Sequence, residues 1–184
     1  MDKMDQDLIL IERFKNGELE GFEMLVKKYQ NMVVNLVYGL TRNSHDAQDI
    51  AQDVFMKVYH NIDSYKAQAK FSSWLYRVTV NTTYDHLRKY RQRPVSLDET
   101  MYETIADTKE APDSLAKELV NDALLKIPYE YRCVLVLREL EGLSYEEIAQ
   151  ALKISIGTVE SRIFRGRVML KDILVKKGVY KNEM

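Results

Sequence analysis

Hydrophobic residues recur three and four positions apart along most of this chain, which is the spacing of one face of an α-helix. One such run covers residues 22–40 over five turns, and a second covers residues 47–62, with Ser44 expected as its N-cap. A third run, over residues 72–91, ends before Pro94. No segment alternates between apolar and polar positions over the length of a strand, so the pattern predicts an all-α protein.

The helical pattern resumes in the second half of the chain, over residues 114–126 and 129–141. Ser144 with Glu147 three positions later forms a capping box, which starts a helix by satisfying its free N–H groups. After a short turn, Ser155 is the expected N-cap of the final helix. Two helices followed by a helix-turn-helix are therefore predicted.

Residues 94–112 lie between two prolines and mix Ser, Thr, Asp and Glu, which is typical of a linker. Nineteen flexible residues have an r.m.s. reach of roughly 25 Å. The expected organisation is two helical domains joined by a flexible acidic linker, the second being a winged-helix-like helix-turn-helix domain. The domains are predicted over residues 1–93 and 113–177, followed by a tail over residues 178–184.

Composition excludes several classes of protein. With 46% hydrophobic and 30% charged residues, the chain has the make-up of a soluble globular protein. The acidic N-terminus, with Asp2, Asp5 and Asp7, lacks the basic and then apolar pattern of a secretory signal, so the cytoplasm is expected. The single cysteine, Cys133, excludes an internal disulfide and a multi-cysteine zinc site. It is predicted to be a small buried hydrophobe, the alternative being a redox sensor.

The net charge of −1 conceals an uneven distribution of charge. Residues 70–93 contain six basic residues against one acidic, and residues 153–177 contain seven against two. Residues 94–122 between them contain two basic residues against eight acidic. Two basic blocks are either solvated faces or two contacts with one polyanion. Because the whole chain is nearly neutral, non-specific affinity for DNA should be weak, and a partner would have to bring it there.

The segment "YEEIAQALKISIGTVESRIFRGR" has the pattern of a DNA-binding helix-turn-helix. Its expected packing positions are Ile148, Ala149, Leu152, Ile154, Val159 and Ile163. The second helix would then present its other positions to the major groove of DNA, namely Ser155, Thr158, Glu160, Ser161, Phe164 and Arg165. The alternative is a helical hairpin with a basic surface.

One acidic residue, Glu160, lies within this basic helix, whereas Arg162, Arg165 and Arg167 can extend to phosphate or guanine. A carboxylate is repelled by phosphate, but it can accept a hydrogen bond from the amino group of cytosine. Two hypotheses follow. Glu160 either selects a cytosine, or it points outward and pairs with Arg162 or Arg165.

The segment "KFSSWLYRVTVNTTYDHLRKYRQR" mixes basic residues with the aromatic residues Phe71, Trp74, Tyr76, Tyr84 and Tyr90. Single-stranded DNA is bound in this way, because bases stack on rings while cations bind the backbone. Taken singly, most of these aromatic residues, Trp74 included, are predicted to be core.

The second predicted helix carries a partly acidic polar face opposite its apolar face, formed by Asp49, Gln52, Asp53, Met56 and His60. Such a face is either solvated or a site for a protein partner. No phosphate-binding glycine loop, nucleophile motif or histidine spacing of a metal site is present, so neither enzymatic activity nor a cofactor is expected.

Three segments carry a resemblance to a known family: "DAQDIAQDVFMKVYHNIDSY", "FSSWLYRVTVNTTYDHLRKYRQRP" and the helix-turn-helix, preceded by "PYEYR" with Ile127 where leucine is usual. Over roughly residues 18–175 the chain resembles the extracytoplasmic-function sigma factors of the sigma-70 family. The resemblance implies a dissociable subunit of bacterial RNA polymerase. It would have two helical domains, regions two and four, and a linker that threads into the polymerase.

The resemblance also implies roles for particular residues. In region two, the polymerase-binding positions that dock on the β′ coiled coil are Asp49, Gln52, Asp53 and Met56. The positions for the melted −10 element are Lys70, Phe71, Trp74, Arg77, Asn81 and Arg88, with Asn81 at the base-contacting position. Region four would contact the polymerase β flap and bind the duplex −35 element through Ser155, Thr158, Glu160, Ser161, Arg162, Phe164, Arg165 and Arg167. Glu160 stands where the family frequently has a basic residue.

The implied partners are core RNA polymerase, promoter DNA and an anti-sigma factor, without direct insertion into a membrane. One alternative is a regulator with the same helix-turn-helix and an N-terminal domain that binds a ligand or a phosphoryl donor. A domain of that kind would need strands or a pocket within residues 44–93, where the sequence predicts two amphipathic helices. Another alternative, a purely structural helical scaffold, leaves both basic blocks unexplained.

Overall fold

The computed structural model describes residues 6–92 and 112–178, and the side chains of residues 6–90 and 118–178. Over these residues the chain forms α-helices and one 3₁₀ turn and no strand, so the all-α prediction is confirmed. The helices are α1 Gln6–Lys15, α2 Leu19–Thr41, α3 Ser44–Asn61, α4 Phe71–Gln92, α5 Pro112–Lys126, α6 Tyr129–Glu139, α7 Tyr145–Leu152 and α8 Ile156–Lys176, with the 3₁₀ turn at Ile62–Ser64. Residues 94–111 of the predicted linker and residues 179–184 of the tail lie outside the described residues.

Most predicted helix ends agree with the structure, and the exceptions are local. The N-cap of α3 is Asn43 rather than Ser44, because the Asn43 side chain accepts hydrogen bonds from the backbone N–H groups of His45 and Asp46. Helix α6 ends at Glu139, two residues before the predicted end. Helix α1 was not predicted, and it packs on α2.

Helices α1–α4 surround the first hydrophobic core. Its members come from the apolar faces that the sequence pattern marks, and they include Leu25, Val33, Val37, Ile50, Val54, Phe71 and Leu75. Burial of such large apolar side chains supplies about 1.5–3 kcal/mol each, which makes the periodic pattern decisive for this half of the fold.

Helices α5–α8 surround the second core, whose central members include Val134, Leu135, Ile148, Val159 and Ile163. Cys133 belongs to the same cluster and is 3% exposed, so the prediction of a buried hydrophobe is confirmed. Burial raises the pKa of its thiol to about 12, against smaller opposing effects of Arg162 and Arg132. The thiol is therefore protonated at neutral pH.

The two helical domains are in direct contact, which the sequence did not predict. The second core extends across the boundary to Leu36 and Leu40 of α2 and to Val80 of α4. At Gly39 a Cβ atom would lie 2.9 Å from Val136 Cγ1, so only glycine permits α2 and α6 to approach this closely. Within the described ranges, no helix is long and apolar enough to cross a membrane.

Candidate nucleic-acid interface

The helix-turn-helix formed by α7 and α8 is fixed by short-range hydrogen bonds at its two helix starts. The Ser144 hydroxyl accepts from the Glu147 backbone N–H at 3.1 Å, and the Glu147 carboxylate accepts from the Ser144 N–H at 2.9 Å. Lys153 ends α7 in the left-handed region, at φ 55°. Ser155 then caps α8 by accepting from the Thr158 N–H at 3.1 Å. Both predicted caps are confirmed, and they set where the outer face of α8 begins.

The outer face of α8 contains six of the eight predicted −35 residues as exposed side chains, namely Ser155, Glu160, Ser161, Phe164, Arg165 and Arg167. Thr158 and Arg162 are half-buried. Phe164 is 70% exposed, an unusual exposure for a phenylalanine. The hydroxyls of Ser155 and Thr158 lie 2.8 Å apart, and Ser161 donates to the Thr158 carbonyl at 3.0 Å.

The three arginines of α8 have different surroundings. A guanidinium nitrogen of Arg167 lies 2.6 Å from the Glu139 carboxylate, and this hydrogen bond raises the pKa of Arg167. Arg162 is half-buried, close enough to the Cys133 thiol to act on its pKa. Arg165 is exposed and has no ion pair within the described part of the chain.

Glu160 forms no ion pair with Arg162, Arg165 or any other residue in the two described ranges, although it is exposed. The structure therefore contains neither of these pairs, and the selection of a cytosine by Glu160 stays a prediction. Its side chain is exposed, and no hydrogen bond to it is found within the described ranges.

In the N-terminal domain, the predicted −10 residues lie on α4, except Lys70, which immediately precedes it. They divide into buried and accessible side chains. Phe71 and Trp74 are 1% and 8% exposed, and both rings pack against Tyr65. Trp74 is thus a core residue, as predicted for it singly, and neither ring is free to stack on a base in this conformation. The accessible residues are Lys70, Asn81 and Arg88, which are exposed, and Arg77, which is half-buried.

Asn81 lies on the wall of a shallow pocket of about 230 Å³. The residues that also line the pocket are Lys57, Asn61, Ser64, Trp74, Val78 and Thr82, so amide, hydroxyl, ammonium and aromatic side chains surround it. Sequence reasoning missed Lys57 and Asn61. They follow Asp53 at intervals of four, so the helical spacing placed them on one line of α3.

The polar face of α3 is accessible, as the sequence predicted. Asp49, Gln52, Asp53 and Met56 are all exposed, Met56 to 56%. The Asp49 carboxylate lies 3.2 Å from Nδ1 of His45, one turn earlier. An exposed methionine beside carboxylates is a surface suited to a protein partner and unsuited to phosphate.

Comparison with known proteins identifies both halves of the chain. Residues 25–93 match the family model described as Sigma-70 region 2, and residues 117–170 match Sigma-70, region 4. The chain is 38% identical over 176 residues to the ECF RNA polymerase sigma factor SigW of Bacillus subtilis (strain 168), covering 89% of this chain and 94% of SigW. The chain is an extracytoplasmic-function sigma factor of the sigma-70 family.

Two solved structures resemble the folded sigma factor. CnrH in complex with the cytosolic domain of CnrY has a TM-score of 0.70 at 27% identity, and covers 94% of this chain and 99% of its own. The sigma factor RpoE in complex with the anti-sigma factor NepR from Bartonella quintana has a TM-score of 0.67 at 25% identity, with 83% and 96% covered. Both likenesses extend over the two helical domains.

The function follows from the family. This sigma factor binds core RNA polymerase and promoter DNA, and it directs promoter-specific initiation of transcription. The alternative of a helix-turn-helix regulator with a ligand-binding or receiver domain is excluded, because the segment in question, residues 44–93, lies within the match to region 2.

Proposed function

We propose that the two predicted domains bind different promoter elements, the first the melted −10 element and the second the duplex −35 element. This proposal depends on one observation: each of the two segments that match a sigma-70 region carries an accessible surface suited to binding nucleic acid. The Asn81 pocket lies within residues 25–93, and the outer face of α8 lies within residues 117–170. Residues 94–112 would join them as the linker.

In the −10 site, the Asn81 side-chain amide would contact a base that has left the stack. An amide both donates and accepts, which suits the edge of an unpaired base, and the pocket around it is concave. Lys70, Arg77 and Arg88 would contact the backbone phosphates. Phe71 and Trp74 would support the site from the core instead of stacking on a base. Trp74 lines the pocket, and its ring packs against that of Phe71.

In the −35 site, α8 would enter the major groove with its outer face toward the bases. Glu160, Ser161 and Phe164 would face base edges, and Phe164 is suited to the methyl group of thymine. The other members of the site would fix the helix on the backbone, through the Ser155 and Thr158 hydroxyls and the three arginines.

The polar face of α3 would dock on the β′ coiled coil of the polymerase, through Asp49, Gln52, Asp53 and Met56, and the second domain would contact the β flap. Support comes from the sign of the charge, since a face that carries two carboxylates and approaches DNA would be repelled. We further propose that the sigma factor has no catalytic activity, uses no cofactor and acts in the cytoplasm, where RNA polymerase works.

Binding both promoter elements would require the two domains to separate. Helix α4 packs on α7 and α7 packs on α8, and packed helices lie about 8–10 Å apart. One turn of DNA measures about 34 Å. The linker, with a reach of roughly 25 Å and a full extension of about 65 Å, is long enough for that separation.

We call the arrangement in which the two domains are in contact the closed form, and the separated arrangement the open form. The partner that we propose for the closed form is an anti-sigma factor. RpoE was solved in complex with the anti-sigma factor NepR, and its structure resembles this one across both domains. A partner that binds the closed form and not the open form would stabilise it by mass action.

The test is transcription from a template with randomised −10 and −35 elements, using core polymerase with and without the purified sigma factor. We expect selection of bases at both elements only when the sigma factor is present. Selection at one element alone, in the presence of normal binding to core polymerase, would contradict the assignment of the two domains to two elements.

A further inference from the structure

We propose that Glu160 selects a cytosine within the −35 element by accepting a hydrogen bond from its amino group. The inference rests on the proposed function of α8 and specifies one of the bases that this helix recognises. Glu160 lies on the exposed face near the N-terminal end of α8, which is the part of a recognition helix that meets base edges.

The surroundings of Glu160 are open to a close approach by DNA. Gly157, Ser161 and Phe164 occupy the same face at helical spacing. A Cβ atom at Gly157 would have nothing within 4 Å, so packing does not require glycine there. Glycine in a helix costs about 1 kcal/mol relative to alanine. Because Gly157 has no side chain, nothing projects from this position of the first turn of α8, and the edge of the groove can approach Glu160.

Among the residues whose side chains the structure describes, none forms an ion pair or a hydrogen bond with the Glu160 carboxylate. Among the arginines of α8, Arg162 is half-buried and Arg167 is bonded to Glu139. Arg165 is exposed, but it lies five positions after Glu160 and forms no ion pair with it. A carboxylate only accepts hydrogen bonds. In the major groove guanine presents two acceptors and thymine one, whereas cytosine presents a donor without an adjacent acceptor of its own. Adenine presents an acceptor beside its donor, which a carboxylate would meet unfavourably.

Replacement of Glu160 should therefore change which base is preferred. In Glu160→Gln, the amide donates as well as accepts, and glutamine forms a bidentate pair with adenine. In Glu160→Lys, the ammonium group is suited to guanine. At one position of the −35 element the preference should move from cytosine to adenine in Glu160→Gln and to guanine in Glu160→Lys, by about 5- to 150-fold.

The experiment uses core polymerase reconstituted with the full-length chain and a template library randomised over the −35 element. Asp172→Lys is the matched control, because Asp172 is exposed on the last turns of the same helix and undergoes the same change of charge. It should alter yield from all templates alike and leave base preference unchanged. Circular dichroism and thermal unfolding verify that each variant is folded.

The outcomes separate this inference from the function on which it rests. If the wild-type chain selects no base at the −35 element, the proposed function of α8 fails and the inference fails with it. If the wild-type chain selects bases and all three variants select the same ones, the role of α8 stands and Glu160 is only a surface charge. A wild-type preference for adenine at the position that Glu160→Lys alters would also overturn the assignment to cytosine.

Discussion

The hydroxyl of Tyr129 donates a hydrogen bond of 2.7 Å to the backbone carbonyl of Val80, from α6 of the second domain to α4 of the first. The Tyr129 ring also lies 5.2 Å from the ring of Tyr84, measured between centroids. Burial raises the pKa of Tyr129, so the hydroxyl is protonated and available as a donor throughout the physiological range. One side chain thus connects the two domains by a polar and an aromatic contact.

Tyr129→Phe should lower the free energy of unfolding by about 0.5–1.5 kcal/mol, because it removes this hydrogen bond and little apolar contact. Urea denaturation followed by circular dichroism measures the change. The matched control is Tyr131→Phe, whose hydroxyl makes no hydrogen bond within the described ranges and whose loss should have little effect. Equal stability of the two variants would show that the interdomain bond contributes nothing net.

Gly39→Leu should separate the two domains without unfolding either one. A Cβ atom at this position would lie 2.9 Å from Val136 Cγ1 and 3.2 Å from Leu140 Cδ1, and the rest of a leucine side chain needs more room. Small-angle X-ray scattering should give a radius of gyration of about 16 Å for the compact wild type and a larger value for the variant. Asn31→Leu, at an exposed position of α2, should scatter as the wild type does.

Asp53→Lys should weaken binding to core polymerase by about 10- to 100-fold, because it reverses a charge within the proposed docking face. Titration of labelled sigma factor with core polymerase measures the affinity. Glu23→Lys provides the control, since Glu23 is an exposed acidic residue on α2, outside that face. Both substitutions are at exposed positions, so helicity should be normal, and a similar loss in both would mean that only net charge matters.

Asn81→Ala should remove the preference for one base of the −10 element, at a cost of about 1–3 kcal/mol. Transcription from a library randomised over the −10 element measures the preference at each position. If every template weakens to the same extent, Asn81 binds phosphate or supports the fold. Asn61→Ala changes another residue that lines the same pocket, and it separates a contact of Asn81 with the base from a general change in pocket shape.

Glu141→Gln should make stability less dependent on pH. Burial raises the pKa of Glu141 above its ordinary value of 4.5, against a smaller opposing effect of its hydrogen bond with Tyr76. The folded state therefore binds this proton more tightly than the unfolded state does. Stability falls as the pH rises from 4.5 through the higher pKa of the folded state, and the contribution is lost fully above it.

Glutamine retains an acceptor for the Tyr76 hydroxyl, which lies 3.3 Å from the Glu141 carboxylate, but it carries no charge. Denaturation at a series of pH values above 4.5 should show a shallower decline for the variant. Glu130→Gln, at an exposed position of α6, should retain the wild-type slope. A wild-type slope in Glu141→Gln as well would assign the decline to other groups.

The sequence alone determined the features that depend on residues a few positions apart. The apolar spacing predicted α2, α3 and α4, and the caps at Ser144 and Ser155 were correct because a cap involves residues within three or four positions. The resemblance of three ordered segments also identified the family. Asn43, whose side chain replaced Ser44 as a cap, shows the limit of this reasoning, since two adjacent residues can both accept from the helix start.

Only the tertiary structure decided which apolar faces cover each other and which polar groups remain free. Periodicity marks a face as apolar, but it does not specify a partner, so the contact of Gly39 with Val136 could not be predicted. The burial of Phe71 and the exposure of Asn81, both on α4, depend on how α2 and α3 pack against that helix. The pairing of Arg167 likewise depends on α6, which supplies Glu139 to it. These relationships join residues distant in sequence, and packing in three dimensions sets them.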